Sequence, residues 1–245
     1  MNAGNRDAQG RSRSPGKRSQ QRRIFAPGAV SAVRAVDTRG ARFLCTIEGV
    51  DGLVSAELIG EYKLAMGRVL SESEAESLTK ATHQLQVFDR AVSLLAVRPR
   101  SARDLQRALR RRGATDEETR AAIARLSELR LVDDASYARE LTRSKAVGGG
   151  ISRRRLQQEL LRRGVAPKLA REAMSEVLDD VGLDERESAL AVARKRLRSL
   201  GGLDPATTRR RLYAFLARRG YASAVVSGVI AEVLGRSGDD LTGEG

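Results

Sequence analysis

The last two-thirds of the chain repeat one pattern of hydrophobic and polar positions. Two leucines four positions apart are followed by a pair of arginines and then by glycine. The leucine spacing predicts an amphipathic helix, and the glycine predicts the end of that helix. The pattern occurs three times, in Arg103–Gly113, Arg154–Gly164 and Arg210–Gly220. The sequence therefore predicts a helical repeat protein.

Each repeat is expected to contain three helices, with the leucine-rich helix in the centre. Ser101 and Ser152 are placed to cap two of the central helices, and Asp204-Pro205 is placed to begin the third. A unit of roughly fifty residues has little core of its own, so the units are expected to pack in series. The predicted fold is mainly α, with three tandem, helix-turn-helix-like units in an elongated array. Their predicted boundaries are 84–133, 134–183 and 184–236.

In the N-terminal third of the chain, apolar residues recur with a different spacing. Apolar residues alternate with polar ones over much of residues 30–58, which predicts a short β-meander with turns at Asp37–Gly40 and Asp51–Gly52. Helices are expected to follow from Ala56 and Ser71, so residues 30–83 form a small β-containing region. Residues 1–29 are basic and poor in apolar side chains, which predicts a disordered tail, and residues 237–245 predict an acidic flexible tail.

Charge narrows the class of partner. The chain has 45 Lys and Arg against 31 Asp and Glu, a net charge of +14, and a pI near 10.9. A polyanion or an acidic protein surface is the expected partner. With one cysteine and one histidine, the sequence excludes internal disulfides and Cys/His zinc sites, and no catalytic residue, cofactor or metal is expected. No apolar run predicts a membrane segment, so a cytoplasmic protein is expected.

The candidate binding residues are arginines that recur in the repeats. Arg153, Arg154 and Arg155 occupy the predicted first turn of a helix, where the helix dipole disfavours cations, so the Ser152 cap region is a plausible phosphate or carboxylate site. At helix C-termini, arginines also complement the dipole, and that structural explanation stays open for Arg162, Arg163, Arg218 and Arg219. The full candidate set is Arg103, Arg107, Arg153, Arg154, Arg155, Arg162, Arg163, Arg209, Arg210, Arg211, Arg218 and Arg219.

Two further features point away from other kinds of site. The segment Gly148–Ser152 lacks the lysine and hydroxyl residue of a nucleotide-binding P-loop, and it is interpreted as a flexible joint between helices. The aromatic residues fall mostly at helix-core spacing, which favours packing over base stacking. These residues are Phe88, Tyr137, Tyr213, Phe215 and Tyr221.

Four motifs carry a family resemblance. They are Arg100–Leu105, Leu126–Ala138, Arg153–Leu160 with the following Arg163–Val165, and Phe215–Tyr221. Their order and spacing resemble RecX, a family of regulators of the RecA recombinase, over about residues 84–236. The resemblance implies a non-enzymatic modulator, most often an inhibitor, that lies in the groove of the RecA filament on single-stranded DNA. It implies suppression of the ATPase, strand-exchange and co-protease activities of RecA, and the protein is expected to be a monomer.

A second functional class stays open at this stage. Three-helix units also resemble helix-turn-helix modules, so the chain is alternatively a DNA-binding protein that acts independently of RecA. Such a protein would present polar side chains to base edges from one helix of each unit. Apart from Gln157 and Gln158, the sequence shows no such set. Dependence of binding on RecA distinguishes the two classes.

Overall fold

The computed structural model describes residues 24–36, 42–182 and 184–239. The chain divides into two compact units, residues 1–83 and 84–245. Most of the predicted basic tail and the last six residues of the predicted acidic tail lie outside the described residues. No helix in the described part of the chain is long and apolar enough to cross a membrane.

The first unit contains a four-stranded antiparallel sheet. Its strands are β1 (Gly28–Ala35), β2 (Arg42–Ile47), β3 (Val50–Ser55) and β4 (Val69–Leu70), in the order β3-β2-β1-β4. Helix α1 (Ala56–Tyr62) follows β3 directly and is capped by Ser55, whose hydroxyl accepts a hydrogen bond from the main-chain N–H of Leu58. The predicted strand region is confirmed. Strand β4 was not expected, because two residues carry no readable period.

The turn between β2 and β3 differs from the prediction. Glu48 and Gly49 both have positive φ, 50° and 74°, and form a two-residue hairpin turn, so the predicted turn at Asp51–Gly52 is wrong. Gly52 instead lies inside β3, where a Cβ would stand 2.1 Å from the ring of Phe25. Phe25 is wholly buried, and its main-chain N–H donates to Thr79 Oγ1. The predicted disordered tail therefore includes a residue of the core.

One long helix, α2 (Glu72–Val97), follows the sheet. Ser71 and Glu74 form reciprocal hydrogen bonds between side chains and main-chain N–H groups at its start. The sequence predicted two helices here, the second from His83 to Val97. They are continuous because residues 72–97 contain neither glycine nor proline, and the helix ends just before Pro99.

The second unit consists of three successive three-helix repeats, which confirms the predicted fold class. The first repeat uses the C-terminal part of α2 with two further helices, and the others have three helices each. These are α3 (Ala102–Arg110), α4 (Asp116–Glu128), α5 (Asp134–Gly148), α6 (Arg153–Arg163), α7 (Pro167–Val181), α8 (Glu185–Arg198), α9 (Pro205–Arg218) and α10 (Ser223–Asp239).

Each repeat has its own hydrophobic core. The paired leucines of the central helices are at most 1 % exposed, and each pair belongs to a separate cluster of buried side chains. Burial of one such leucine stabilises a fold by about 1.5–3 kcal/mol. The leucine pairs are Leu105/Leu109, Leu156/Leu160 and Leu212/Leu216.

The central helix of the third repeat begins one turn earlier than the other two. Counted back from the repeat glycines, Thr208 of α9 takes the position of the capping serines Ser101 and Ser152. In α9 the cap is Asp204, whose carboxylate accepts a hydrogen bond from the N–H of Thr207, and Pro205 is the first helical residue. Helix α10 extends to Asp239, three residues into the segment predicted as a flexible tail.

Candidate functional site

The repeats are joined by a hydrogen bond that occurs twice. The hydroxyl group of Ser101, at the start of α3, donates to the carbonyl of Arg163 at the end of α6. The hydroxyl group of Ser152, at the start of α6, donates to the carbonyl of Arg219 at the end of α9. We call the contact between the first two repeats the first junction and the contact between the last two the second junction. Each junction therefore sets a central-helix start against a central-helix end.

A second pair of hydrogen bonds strengthens the equivalence of the junctions. The main-chain N–H of Ala102 donates to Asp134 Oδ1 over 2.7 Å, and the N–H of Arg153 donates to Glu185 Oε1 over 3.3 Å. Asp134 and Glu185 are the first helical residues of α5 and α8. A carboxylate from the next repeat thus reaches the positive end of the helix dipole at both junctions.

The repeat glycines are required for two reasons at the junctions. Gly164 and Gly220 have φ values of 94° and 87°, a backbone conformation that residues other than glycine rarely adopt. A Cβ on Gly164 would also stand 2.5 Å from Arg103 Cβ, and a Cβ on Gly220 would stand 2.6 Å from Ser152 Oγ. The sequence explained these glycines only as helix ends.

The start of α6 is not an open anion site. Ser152 is wholly buried, and its hydroxyl both donates to Arg219 and accepts from the N–H of Arg155. The carboxylate of Glu185 already occupies the N-terminus of the helix. The carboxylate at this predicted phosphate or carboxylate site therefore comes from the protein itself, and binding of an external anion there stays a prediction.

The predicted arginines all lie in the second unit, and nearly all are solvent-exposed. Arg163 is the exception, with 34 % of its side chain exposed. The first junction brings together Arg103, Arg107, Arg162 and Arg163, and Arg107 Nη2 donates to the carbonyl of Arg162. The second junction includes Arg153, Arg155 and Arg219. The structure leaves Arg154 exposed on α6 and Arg209, Arg210, Arg211 and Arg218 exposed on α9.

A carboxylate pairs with two cations beside the first junction. Glu159 Oε1 lies 2.9 Å from Arg163 Nη2 and 3.7 Å from Lys145 Nζ, and Arg163 also donates to the hydroxyl of Tyr137. Burial raises the pKa of Glu159, but the hydrogen bond from Arg163 and the charges of Lys145 and the neighbouring arginines outweigh burial, so the pKa lies below its ordinary value. Glu159 is therefore held in its charged form.

The equivalent place in the second junction has an aromatic ring. The guanidinium groups of Arg219 and Arg196 lie 4.8 Å and 5.4 Å from the centre of the Phe215 ring. Arg219 Nη1 also donates to the carbonyl of Gly150 over 2.8 Å, and the N–H of Gly150 donates to Ser188 Oγ. Gly150, within the segment predicted as a joint between helices, is thus held from two sides.

Sequence reasoning missed Arg196 and its neighbour Lys195. Alignment of the repeats on their capping aspartates Asp133 and Asp184 pairs Arg196 with Lys145, and this recurrence of a cation was the available signal. Phe215 was correctly assigned to packing, since it contacts the core of the third repeat. Tyr213 is 42 % exposed and does not belong to that core.

The described residues contain no group of acidic, cysteine or histidine side chains suited to hold a metal ion. Cys45, in β2, is buried, and burial together with the nearby charge of Asp51 raises the pKa of its thiol to about 11. The thiolate needed for nucleophilic chemistry is therefore strongly disfavoured at neutral pH.

Models of three protein-family domains match the helical repeats in order. Residues 88–126 match the first three-helix domain of RecX, residues 133–174 match the second, and residues 184–230 match the third. Together these segments make up more than half of the chain, and each contains one of the central helices.

Comparisons with individual relatives give the same family. A regulatory protein RecX from Amycolatopsis mediterranei is 40 % identical over 149 residues, which cover 61 % of this chain and 83 % of the relative. A regulatory protein RecX from Streptomyces coelicolor is 33 % identical over 147 residues, covering 60 % and 77 %. A crystal structure of a regulatory protein RecX, 19 % identical, shares the fold with a TM-score of 0.65 over 82 % of this chain and 98 % of its own. The chain therefore belongs to the RecX family of regulatory proteins.

Proposed function

We propose that this protein regulates the RecA recombinase by binding the RecA filament assembled on single-stranded DNA. It lies in the groove of the filament as a monomer and suppresses ATP hydrolysis, strand exchange and co-protease activity. The observation that carries the proposal is the set of exposed arginines that recurs on successive repeats of a RecX-family chain.

A tandem array suits a partner that is itself repetitive. Stacked repeats build one extended surface, and here corresponding positions of the central helices α6 and α9 both carry exposed arginines. In α6 these are Arg153, Arg154 and Arg155, and in α9 they are Arg209, Arg210 and Arg211. Arginine forms paired hydrogen bonds with carboxylates and phosphates, so this surface is compatible with acidic side chains of a filament and with its DNA.

The proposed regulation works by occupancy and not by chemistry. Bound protein alters RecA because it fills the groove and bridges filament subunits. Its effect therefore rises with the density of bound protein and saturates when the filament is covered. No turnover by the regulator is needed.

Titration into a RecA ATPase assay tests the proposal, with filament binding followed in parallel by fluorescence anisotropy. We expect ATP hydrolysis to fall in proportion to bound protein. Full suppression at trace amounts, or ATP hydrolysis by the protein alone, would contradict regulation by occupancy. Tight, sequence-selective binding to duplex DNA with no effect on RecA would instead support the alternative of an independent DNA-binding protein.

A further inference from the structure

Each junction contains a surface groove built from equivalent elements. The groove at the first junction, of about 800 Å³, lies between the segment before α3, helix α5 and Arg163. The groove at the second junction, of about 610 Å³, lies between the segment before α6, helix α8 and Arg219. Residues of α2 line only the first groove, but both grooves share the segment before a central helix, the first helix of the next repeat and an arginine at a central-helix end, and these shared positions carry different side chains.

Acidic side chains accompany the cations of the first groove. Arg98 and Arg100 both pair with Asp104, and Arg163 pairs with Glu159. Glu140 of α5 also lines the groove. The charges of this groove are largely satisfied within the protein.

The second groove has exchanged these acids for neutral or basic residues. In the register of the repeats, Phe215 stands where the first junction has Glu159, and Ala191 stands where it has Glu140. Lys195 likewise replaces Ser144. Three cations line the groove, Lys195, Arg196 and Arg219, and no acidic side chain is among its described lining residues. Within the described residues, none of these three cations forms an ion pair.

Two of the three cations, Arg196 and Arg219, are held in place before any ligand arrives. Arg219 is fixed by the Phe215 ring and the carbonyl of Gly150, and Arg196 is fixed by the same ring and a hydrogen bond from Nη1 to Ser199 Oγ. Arg196 Nε is buried and lacks a hydrogen-bond partner. A buried donor without a hydrogen-bond partner is unfavourable and calls for an explanation.

We propose that the groove at the second junction binds the phosphodiester backbone of single-stranded nucleic acid. Three uncompensated cations in one groove favour a ligand with successive negative charges over a lone carboxylate, and guanidinium groups match the paired free oxygens of a phosphate. The first groove, with its internal acids, lacks this property. The inference deepens the proposed function, because it assigns the DNA contact of the filament-bound protein to one junction.

The repeat comparison also supplies the variants. Lys195→Ser and Phe215→Glu each convert one position of the second groove to the residue of the first. The carboxylate introduced by Phe215→Glu would stand four residues before Arg219, as Glu159 stands before Arg163, and would lower the positive charge of the groove. Lys168→Ser is the matched control, because Lys168 is 82 % exposed on α7 and its removal changes the net charge equally.

Binding of the full-length variants to fluorescein-labelled oligothymidylate, without RecA, is measured by anisotropy at several salt concentrations. We expect Lys195→Ser to weaken binding more than Lys168→Ser and to reduce the slope of log K against log salt by about 0.7, the value for one phosphate of a single strand. Phe215→Glu should weaken binding at least about tenfold, roughly the effect of losing two charge contacts. Glu159→Phe, the reverse exchange, should leave binding intact or strengthen it.

Several results would overturn the proposal. One is that Lys195→Ser and Lys168→Ser weaken the binding of oligothymidylate equally. Another is that the wild-type protein does not bind oligothymidylate at low salt. The third is that polyglutamate, at an equal concentration of charge, displaces the strand. Circular dichroism establishes that each variant is folded, and Lys195→Ser, at an exposed position, decides the matter if Phe215→Glu unfolds. Because the assay contains no RecA, a failed effect on RecA and a failed groove are distinguishable.

Discussion

The hydroxyl of Ser152 lies 2.9 Å from the main-chain oxygen of Arg219, a residue 67 positions further along the chain. The same hydroxyl accepts a hydrogen bond from the N–H of Arg155, so one buried side chain caps the start of α6 and satisfies the end of α9. Ser101 makes the equivalent contacts with Asp104 and Arg163. One hydroxyl at each junction therefore serves two helix ends.

Replacement of Ser152 tests this directly. Ser152→Ala removes the helix cap and leaves the carbonyl of Arg219 without its donor, so we expect a loss of about 2 kcal/mol in the free energy of unfolding. Urea titration followed by circular dichroism measures the loss. Ser227→Ala, on the exposed face of α10, is the control and should change stability by less than about 0.5 kcal/mol. Equal values for the two variants would refute the special role of the junction serine.

The three repeat glycines should differ in their tolerance of alanine. All have φ near 90°, but a Cβ on Gly113 meets nothing within 4 Å, whereas a Cβ on Gly220 would clash with Ser152 Oγ. We expect Gly113→Ala to lose about 1–2 kcal/mol, the cost of the left-handed backbone alone. Gly164→Ala and Gly220→Ala should lose clearly more. Thermal unfolding ranks the three, and the idea fails if Gly113→Ala is the most damaging.

Glu159 should make stability depend on pH. Because its pKa in the folded protein lies below the ordinary value of 4.5, the ionised carboxylate stabilises the fold fully above that value, and the stabilisation is lost as the pH falls through the lowered pKa. We expect wild type to be more stable than Glu159→Gln at neutral pH and the difference to shrink towards zero in acid. Urea unfolding between about pH 7 and pH 3 measures it. A difference that does not change with pH would exclude the ion pairs as its source.

Exposed arginines at the start of α6 should contribute to binding and not to folding. Arg153→Ala combined with Arg154→Ala removes two cations from the unfavourable end of the helix dipole, so stability should stay the same or rise slightly. Affinity for RecA filaments on single-stranded DNA should fall, and the salt slope should shrink by about 1–2 if both side chains contact phosphate. The control is Lys168→Ala with Arg171→Ala on α7. Equal losses in the two double variants would assign the effect to net charge alone.

Adjacent leucines in α6 separate the core of the middle repeat from its surface. Leu160 is wholly buried and Leu161 is 39 % exposed. Leu160→Asp buries a charge without a partner and should unfold the middle repeat, with a loss above about 3 kcal/mol and no remaining effect on RecA. Leu161→Asp should keep its helix content in circular dichroism. RecA inhibition by a Leu160→Asp variant that has lost this helix content would show that the middle repeat is dispensable.

Local sequence patterns predicted the repeats well. Most features that these patterns did not predict depend on contacts between residues distant in sequence. Leu156 and Leu160 lie one turn apart, so their spacing alone indicates a buried helix face. The hydrogen bond from Ser152 to Arg219 joins separate repeats, and no local sequence pattern around either residue predicts it. In the sequence, Arg196 resembles an ordinary solvated helix residue. Only the structure shows that the Phe215 ring lies beside it. The hairpin turn was misplaced because Asp51-Gly52 has a common turn composition, whereas close packing of Phe25 requires that glycine.

The early start of α9 removes the contact by which the other two central helices join the next repeat. The position that holds Ser101 and Ser152 in the other central helices is Thr208, in the second turn of α9 and buried there, so no hydroxyl at a helix start is offered to a further unit. The exposed Asp204 cap completes this end by itself. A fourth copy of the unit, added by gene duplication, would not meet the serine contact that joins the first three. Extension of the array beyond the third repeat would therefore require a contact of a different kind.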